Sequence, residues 1–326
     1  MADGFTPPRL LRNAHLQTLA PAWFGRSPAL ASGEDLQFTA PDGEPLLGAA
    51  HWQPGPRDAA ATALLLHGIE GDAAAPYMRR LTSKLLRRGW HVVRLDLRGC
   101  GRGEPLTPTL LHGGRGDDIA AVLVALAREA PRLAAIGCSL GGALLLRMLG
   151  EGGAPPGFLG GVAISPPLNP AAIQVHLDRR GGAVYRRYFL ATMARRLRRR
   201  ARWFPAHFPD HDFRCASMRD FDERVTAPLA GFTGADDYYR RADALPLLAG
   251  VAAPTLLLHA QDDPMVPFAG FAAEVTRVCA GHPHLRAEFP RHGGHLGFYD
   301  PTRPGDPHWA EDRALVFLEQ LRAARP

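Results

Sequence analysis

The residues best placed to do chemistry in this chain are Gly137-Cys138-Ser139-Leu140-Gly141-Gly142. A serine with glycine two positions away on each side can sit on a turn too tight for bulkier neighbours. Such a turn lifts the hydroxyl clear of the backbone and presents it as a nucleophile. A serine hydroxyl is weak until a base takes its proton. The chain must therefore also supply an imidazole, and a carboxylate to orient that imidazole.

Two residues compete for each role. The carboxylate is expected in Ala260-Gln261-Asp262-Asp263-Pro264-Met265-Val266-Pro267. Asp263 lies three residues past Ala260 and four before Pro267, the spacing expected of the acid. Asp262 stays open as the alternative, its other role being to cap the turn. The imidazole is expected in Arg291-His292-Gly293-Gly294-His295-Leu296-Gly297-Phe298. The Gly-Gly step can carry His295 to the serine on a loop, and His292 is the alternative. The His-x-x-His pair invites a metal reading. Its glycines deny it the helical spacing of a metalloprotease motif, so no metal is expected. The developing oxyanion needs two backbone N–H donors, each typically worth roughly 3–4 kcal/mol of barrier. Leu140, the residue after the nucleophile, is one candidate. Ile69, in the Gly-flanked loop His67-Gly68-Ile69-Glu70-Gly71, is the other.

These groups need a scaffold. Thr62–His67, His91–Asp96, Leu133–Cys138, Gly161–Ser165, Thr255–His259 and Leu285–Phe289 are short apolar runs that read as buried parallel strands. Leu36–Ala40 and Leu47–Trp52 flank Pro41-Asp42-Gly43 and read as a hairpin. Helical spacing marks Tyr77–Arg88, Gly116–Arg128, Leu140–Leu149, Phe268–Val278 and Trp309–Leu321. The alternation predicts an α/β fold, a mostly parallel sheet with helices on both faces. The rhythm breaks over residues 168–250, which read as an inserted helical lid on a single domain. Residues 1–33 read as irregular. The serine, the two aspartates and the two histidines then follow strand ends in the order Ser…Asp…His, as a nucleophile elbow requires.

Composition narrows the class. The chain has 326 residues, 46% of them hydrophobic, enough to bury a large core. Its net charge is +6, carried almost wholly by arginine; Lys84 is the one lysine. No nucleic-acid motif accompanies that charge, so no nucleic-acid partner is expected. Cys100, Cys138, Cys215 and Cys279 match neither a zinc nor a redox spacing. No secretory leader or membrane-length apolar run is visible, so a cytoplasmic location is expected. The sequence leaves the oligomeric state open, with a monomer favoured.

Several pieces together resemble the YheT-like branch of the α/β-hydrolases, bacterial relatives of the ABHD esterases. They are Asn13-Ala14-His15-Leu16-Gln17-Thr18-Leu19, His67–Gly71, Arg98-Gly99-Cys100, Gly137–Gly142, Phe221–Leu229, Ala235–Tyr239 and His292–Phe298. They run over nearly the whole chain. The resemblance implies the α/β-hydrolase fold and carboxyl-ester hydrolysis, with Ser139, Asp263 and His295 as the relay and a small-molecule ester as substrate. No cofactor is implied. Ala230 departs from the histidine expected after Pro228-Leu229. An acyltransferase with the same triad, a membrane-docked lipase and a non-catalytic binding protein are the rival functions.

Four further signals carry expectations. Arg179–Arg202 holds ten arginines and reads as a solvated basic helix, with a peripheral membrane contact as its functional alternative. His15 is expected to tie the N-terminal segment to the core. Cys138 is expected to pack away from the site. His112 and Asp118 are expected to share a hydrogen bond.

Overall fold

The computed structural model describes residues 4–25, 27–208 and 213–324. The uniformly apolar runs β3 (Thr62–Leu66) and β5 (Leu133–Cys138) lie side by side at the centre of one sheet, buried along their whole length. Neither alternates polar with apolar, because helices cover both faces. The sheet has eight strands in the order β1-β2-β4-β3-β5-β6-β7-β8. The others are β1 (Glu34–Thr39), β2 (Pro45–His51), β4 (His91–Asp96), β6 (Phe158–Ile164), β7 (Thr255–Leu258) and β8 (Leu285–Glu288). β1 and β2 pair antiparallel, as the hairpin reading expects, and β2 joins β4 antiparallel. Every other pairing is parallel.

Two apolar layers hold the helices to the sheet. One packs α2 (Pro76–Leu86) and α11 (Trp309–Ala324) through Met78, Leu81, Leu315 and Leu318. The other packs α3 (Gly116–Ala127) and α4 (Leu140–Gly150) through Ile119, Val122, Leu144 and Leu145. Observed ends differ from the expected ones by a few residues, as end fraying dictates. The largest change is at 268–278, where a 3₁₀ turn at Phe268–Gly270 precedes α10 (Ala272–Cys279).

The N-terminal segment is not irregular. It forms a 3₁₀ turn at Arg9–Arg12 and then α1 (Ala14–Phe24). The Asn13 side chain caps α1 by accepting from the His15 and Leu16 N–H groups. Pro21 within the helix masks this signal in the sequence.

Between β6 and β7 the described residues form no strand. They form α5 (Pro170–Asp178), α6 (Ala183–Ala201), α7 (Met218–Phe221), a π-turn (Asp222–Thr226), α8 (Ala227–Leu229) and α9 (Ala235–Ala242). Residues 209–212 of the expected insertion, and residues 1–3 of the N-terminal stretch, lie outside the described residues. Ala194, Leu197, Phe208, Phe213, Phe221 and Val225 give this segment a small core of its own.

α6 corrects the solvated-helix expectation. Arg187, Arg195, Arg198 and Arg202 face solvent, but Arg196 and Arg200 turn inward. Arg200 donates to the carbonyls of Gly99, Thr107 and Thr109 at 2.7–2.9 Å. Arg196 reaches Glu70 and the Gly99 carbonyl, and Arg199 grips both Glu104 oxygens. The arginines thus fasten the helix to the loops that follow β3 and β4. No helix among the described residues is long and apolar enough to cross a membrane.

Candidate active site

Ser139 sits between β5 and α4 with φ 50° and ψ −123°, a conformation that typically costs about 1–3 kcal/mol. The surroundings leave it no other path. A Cβ on Gly137 would lie 2.3 Å from the Gly141 carbonyl oxygen. A Cβ on Gly141 would lie 2.6 Å from the carbonyl oxygens of both Leu66 and His67. Only glycine lets the strand and helix close this tightly around the serine.

The Ser139 hydroxyl donates to His295 Nε2 at 2.9 Å. His295 Nδ1 donates to Asp263 Oδ2 at 2.8 Å. The other Asp263 oxygen accepts the N–H groups of Met265 and Val266 at 2.8 and 2.9 Å. Burial alone would raise the Asp263 pKa. The charge and hydrogen bond of His295, with help from His259 and Val266, outweigh burial and hold it below the usual carboxylate range. The alternatives pair with each other instead. Asp262 accepts from His292 Nδ1 at 3.2 Å and from the Gly294 N–H at 2.9 Å. Each histidine of the His-x-x-His pair therefore has its own carboxylate.

The oxyanion candidates flank the serine. Leu140 is the first residue of α4, so its N–H has no acceptor within the helix. The loop after β3 runs beside Ser139, since a Cβ on Gly68 would lie 3.0 Å from the Ser139 Cβ. His67 pins that loop. Its Nδ1 donates to the Gly68 carbonyl at 2.7 Å and its Nε2 accepts the Leu97 N–H at 3.0 Å. That pattern requires a neutral ring, and burial lowers its pKa to about 4. The Gly68 N–H is already bound to Tyr77 Oη at 2.9 Å, which leaves Ile69 as the next donor along the loop.

Three side chains escaped the sequence reading. Gln17 of α1, fully buried, donates to the Tyr299 carbonyl at 2.9 Å and accepts the Tyr299 N–H at 2.8 Å. Thr18 accepts the His295 N–H at 3.0 Å. The His295 loop thus rests on α1, and a Cβ on Gly294 would lie 2.6 Å from Thr18 Oγ1. Both residues stood in the N-terminal resemblance motif, which carried no hint of a role. The third, His259, lies 3.8 Å from Asp263, and burial lowers its pKa to about 4. Its only signal was proximity in sequence to the aspartate pair.

A cavity of about 150 Å³ opens at Ser139 and His295. Ile173, Leu177, Phe189, Met193 and Val266 make its apolar wall, so α5 and α6 face β7's loop across it. Ile69 and Leu140 also line it.

The family described as "alpha/beta hydrolase fold" matches residues 64–302. "Putative esterase YheT" of Escherichia coli (strain K12) is 32% identical over 98% of this chain and 94% of its own. The chain is a YheT-like α/β-hydrolase. "Phospholipase ABHD3" of Homo sapiens is 29% identical over 74% of this chain, but the match spans 60% of that longer protein. Among solved structures, the Pyrococcus furiosus esterase Pf2001 superposes with a TM-score of 0.58 at 17% identity, covering 97% of this chain and 99% of its own. At that identity the likeness concerns the fold alone.

The remaining expectations divide. In this YheT-like hydrolase Cys138 is buried in the layer behind the sheet, as expected. His15 does not tie the N-terminus to the core: its Nδ1 meets Tyr185 Oη at 2.7 Å, so it bridges α1 to α6. His112 and Asp118 share no hydrogen bond. Arg98 takes both Asp118 oxygens at 2.5 and 2.8 Å, and His112 Nδ1 accepts the Gly114 N–H. The guanidinium wins because it matches a carboxylate with two parallel donors. Ala230 is not among the cavity-lining residues.

Proposed function

We propose that this hydrolase is a serine esterase acting on small-molecule carboxylic esters with short to medium acyl chains. The observation that carries the reading is the continuous relay Ser139–His295–Asp263 opening on an apolar cavity. His295 Nε2 takes the Ser139 proton as the oxygen attacks the ester carbonyl carbon. The Leu140 and Ile69 N–H groups receive the developing oxyanion. The tetrahedral intermediate expels the alcohol, which leaves with the proton from His295. Water then gives a proton to His295, attacks the acyl-enzyme and releases the acid and Ser139. Asp263 stays ionised throughout and stabilises the imidazolium. The scheme draws on no cofactor. The helical segment 168–250 acts as a lid over the acyl group. A cavity of about 150 Å³ suits a group near the size of a benzene ring, hence the chain-length limit.

The test is hydrolysis of p-nitrophenyl esters from acetate to palmitate by wild type and Ser139→Ala. Turnover that peaks at short or medium chains and vanishes in the variant supports the reading. Absence of turnover on every ester by a folded protein overturns it.

A second reading, contact with an anionic membrane surface, draws on the exposed Arg187, Arg195 and Arg198 along α6 and Arg202 at its end. Salt-sensitive pelleting with anionic vesicles supports it, and no pelleting at low salt removes it.

A further inference from the structure

The cavity beside Ser139 is not apolar throughout. Asp222, Thr226, Tyr238, Tyr239 and His112 form a polar end to it. Asp222 is only 7% exposed. One of its oxygens accepts from Thr226 Oγ1 and the other from Tyr239 Oη, both at 2.8 Å. A carboxylate offers about four acceptor directions, so these two bonds leave capacity unused.

What sets Asp222 apart is the missing cation. The other buried acids among the described residues are Asp96, Glu104, Asp118, Asp263 and Glu311. They face Arg102, Arg199, Arg98, His295 and Arg80 respectively. Among the described residues no basic side chain forms an ion pair with Asp222. A buried carboxylate without a partner is costly, and proteins normally supply the partner or lose the charge. Burial does raise the Asp222 pKa, to about 6, against the two hydroxyl donors that lower it.

The backbone agrees that the position is specialised. Asp222 opens the π-turn Asp222–Thr226 inside an otherwise helical run. Single π-turns within helices recur at functional sites, where they re-aim side chains. Here Asp222 and Thr226, four residues apart, are joined by the bond above, and both line the cavity.

We propose that Asp222 is a specificity-determining residue that selects esters whose acyl group ends in a hydrogen-bond donor, a hydroxyl or an ammonium. The donor takes the unused acceptor capacity of Asp222 while the carbonyl sits at Ser139. The inference rests on the serine-esterase reading above. A site that hydrogen-bonds a polar group discriminates strongly against an analogue lacking it, because its own polar atom is then left unpaired.

The experiment compares matched p-nitrophenyl esters of four to eight acyl carbons, ending in methyl, hydroxyl or ammonium. Wild type is expected to show at least ten-fold higher kcat/KM for a hydroxyl- or ammonium-ended member than for the methyl-ended one of equal length. Preference for ammonium alone identifies a cationic substrate; preference for hydroxyl identifies a neutral one. Asp222→Leu is expected to reverse the preference, and Asp222→Asn to abolish that for ammonium. Methyl-ended esters turned over as well as or better than both polar series by wild type overturn the inference, whatever the variants do. Polar preference unchanged in folded Asp222→Leu also overturns it. No Ser139-dependent hydrolysis of any ester instead overturns the esterase reading beneath it.

Discussion

Replacing Gln17 by alanine should loosen the loop that carries His295. Gln17 stands 282 residues before Tyr299 in the chain, yet its side chain holds both main-chain polar groups of Tyr299. Gln17 is fully buried and Tyr299 is 7% exposed. The alanine variant leaves one N–H and one carbonyl unpaired, at about 1–3 kcal/mol each, so roughly 2–6 kcal/mol in all. Unfolding entropy near 2.1 cal/mol/K per residue gives about 0.7 kcal/mol/K for this chain. The melting temperature should therefore fall by about 3–9 °C. Activity should fall too, because α1 also receives the His295 N–H on Thr18. A displacement of about 1 Å at a reacting group typically costs roughly 100-fold. The assay is a thermal melt beside p-nitrophenyl ester kinetics, with kcat expected to drop more than KM rises. Gln17→Glu should be at least as damaging at neutral pH, since it buries a charge and sets a carboxylate oxygen against the Tyr299 carbonyl. An alanine variant with wild-type melting and wild-type kcat would refute the idea that α1 braces the loop.

Asp263→Asn should lower kcat by about 10⁴-fold, since an amide can stabilise neither the required tautomer nor the imidazolium. Asp262→Asn should cost under about ten-fold, because the Asp262 carboxylate bonds His292 and the Gly294 N–H rather than His295; equal losses in the two variants would contradict these roles. Asp222, raised to about 6, binds a proton more tightly folded than unfolded. The Asp222 contribution to stability should therefore decline as pH rises from about 4 to 7, by up to roughly 3 kcal/mol at 1.36 kcal/mol per pKa unit, against the rise that the buried neutral His67 and His259 give over the same range. Asp222→Asn should lack that decline in denaturant titrations, and parallel pH profiles would refute it. Arg200→Ala should strand the carbonyls of Thr107 and Thr109, at about 1–3 kcal/mol each, while Gly99 keeps Arg196, and so loosen α6. Limited proteolysis should then cut within 183–201 well before the sheet; unchanged cleavage would count against the anchor.

Much of the site was legible in the chain itself. Short apolar stretches at the centre of the sheet, helices between the parallel strands, and Gly137 and Gly141 around Ser139 are local patterns, and local sterics enforce them. The same holds for Asp263 and His295, which follow strand ends and so must emerge at one edge of a parallel sheet. The choice between Asp262 and Asp263 was nearly legible, yet adjacent residues on a turn point in different directions, and only the packed loop assigns each to its histidine. α1 was hidden because Pro21 reads as a breaker, while its support comes from Tyr299 and Gly294 far along the chain. The arginines of α6 read as a solvated face because spacing cannot reveal carbonyls waiting in another loop. Asp222 illustrates the division best. Its charge is written in the sequence, but the absence of a cation beside it is a property of everything packed around it, and that only the tertiary structure decides.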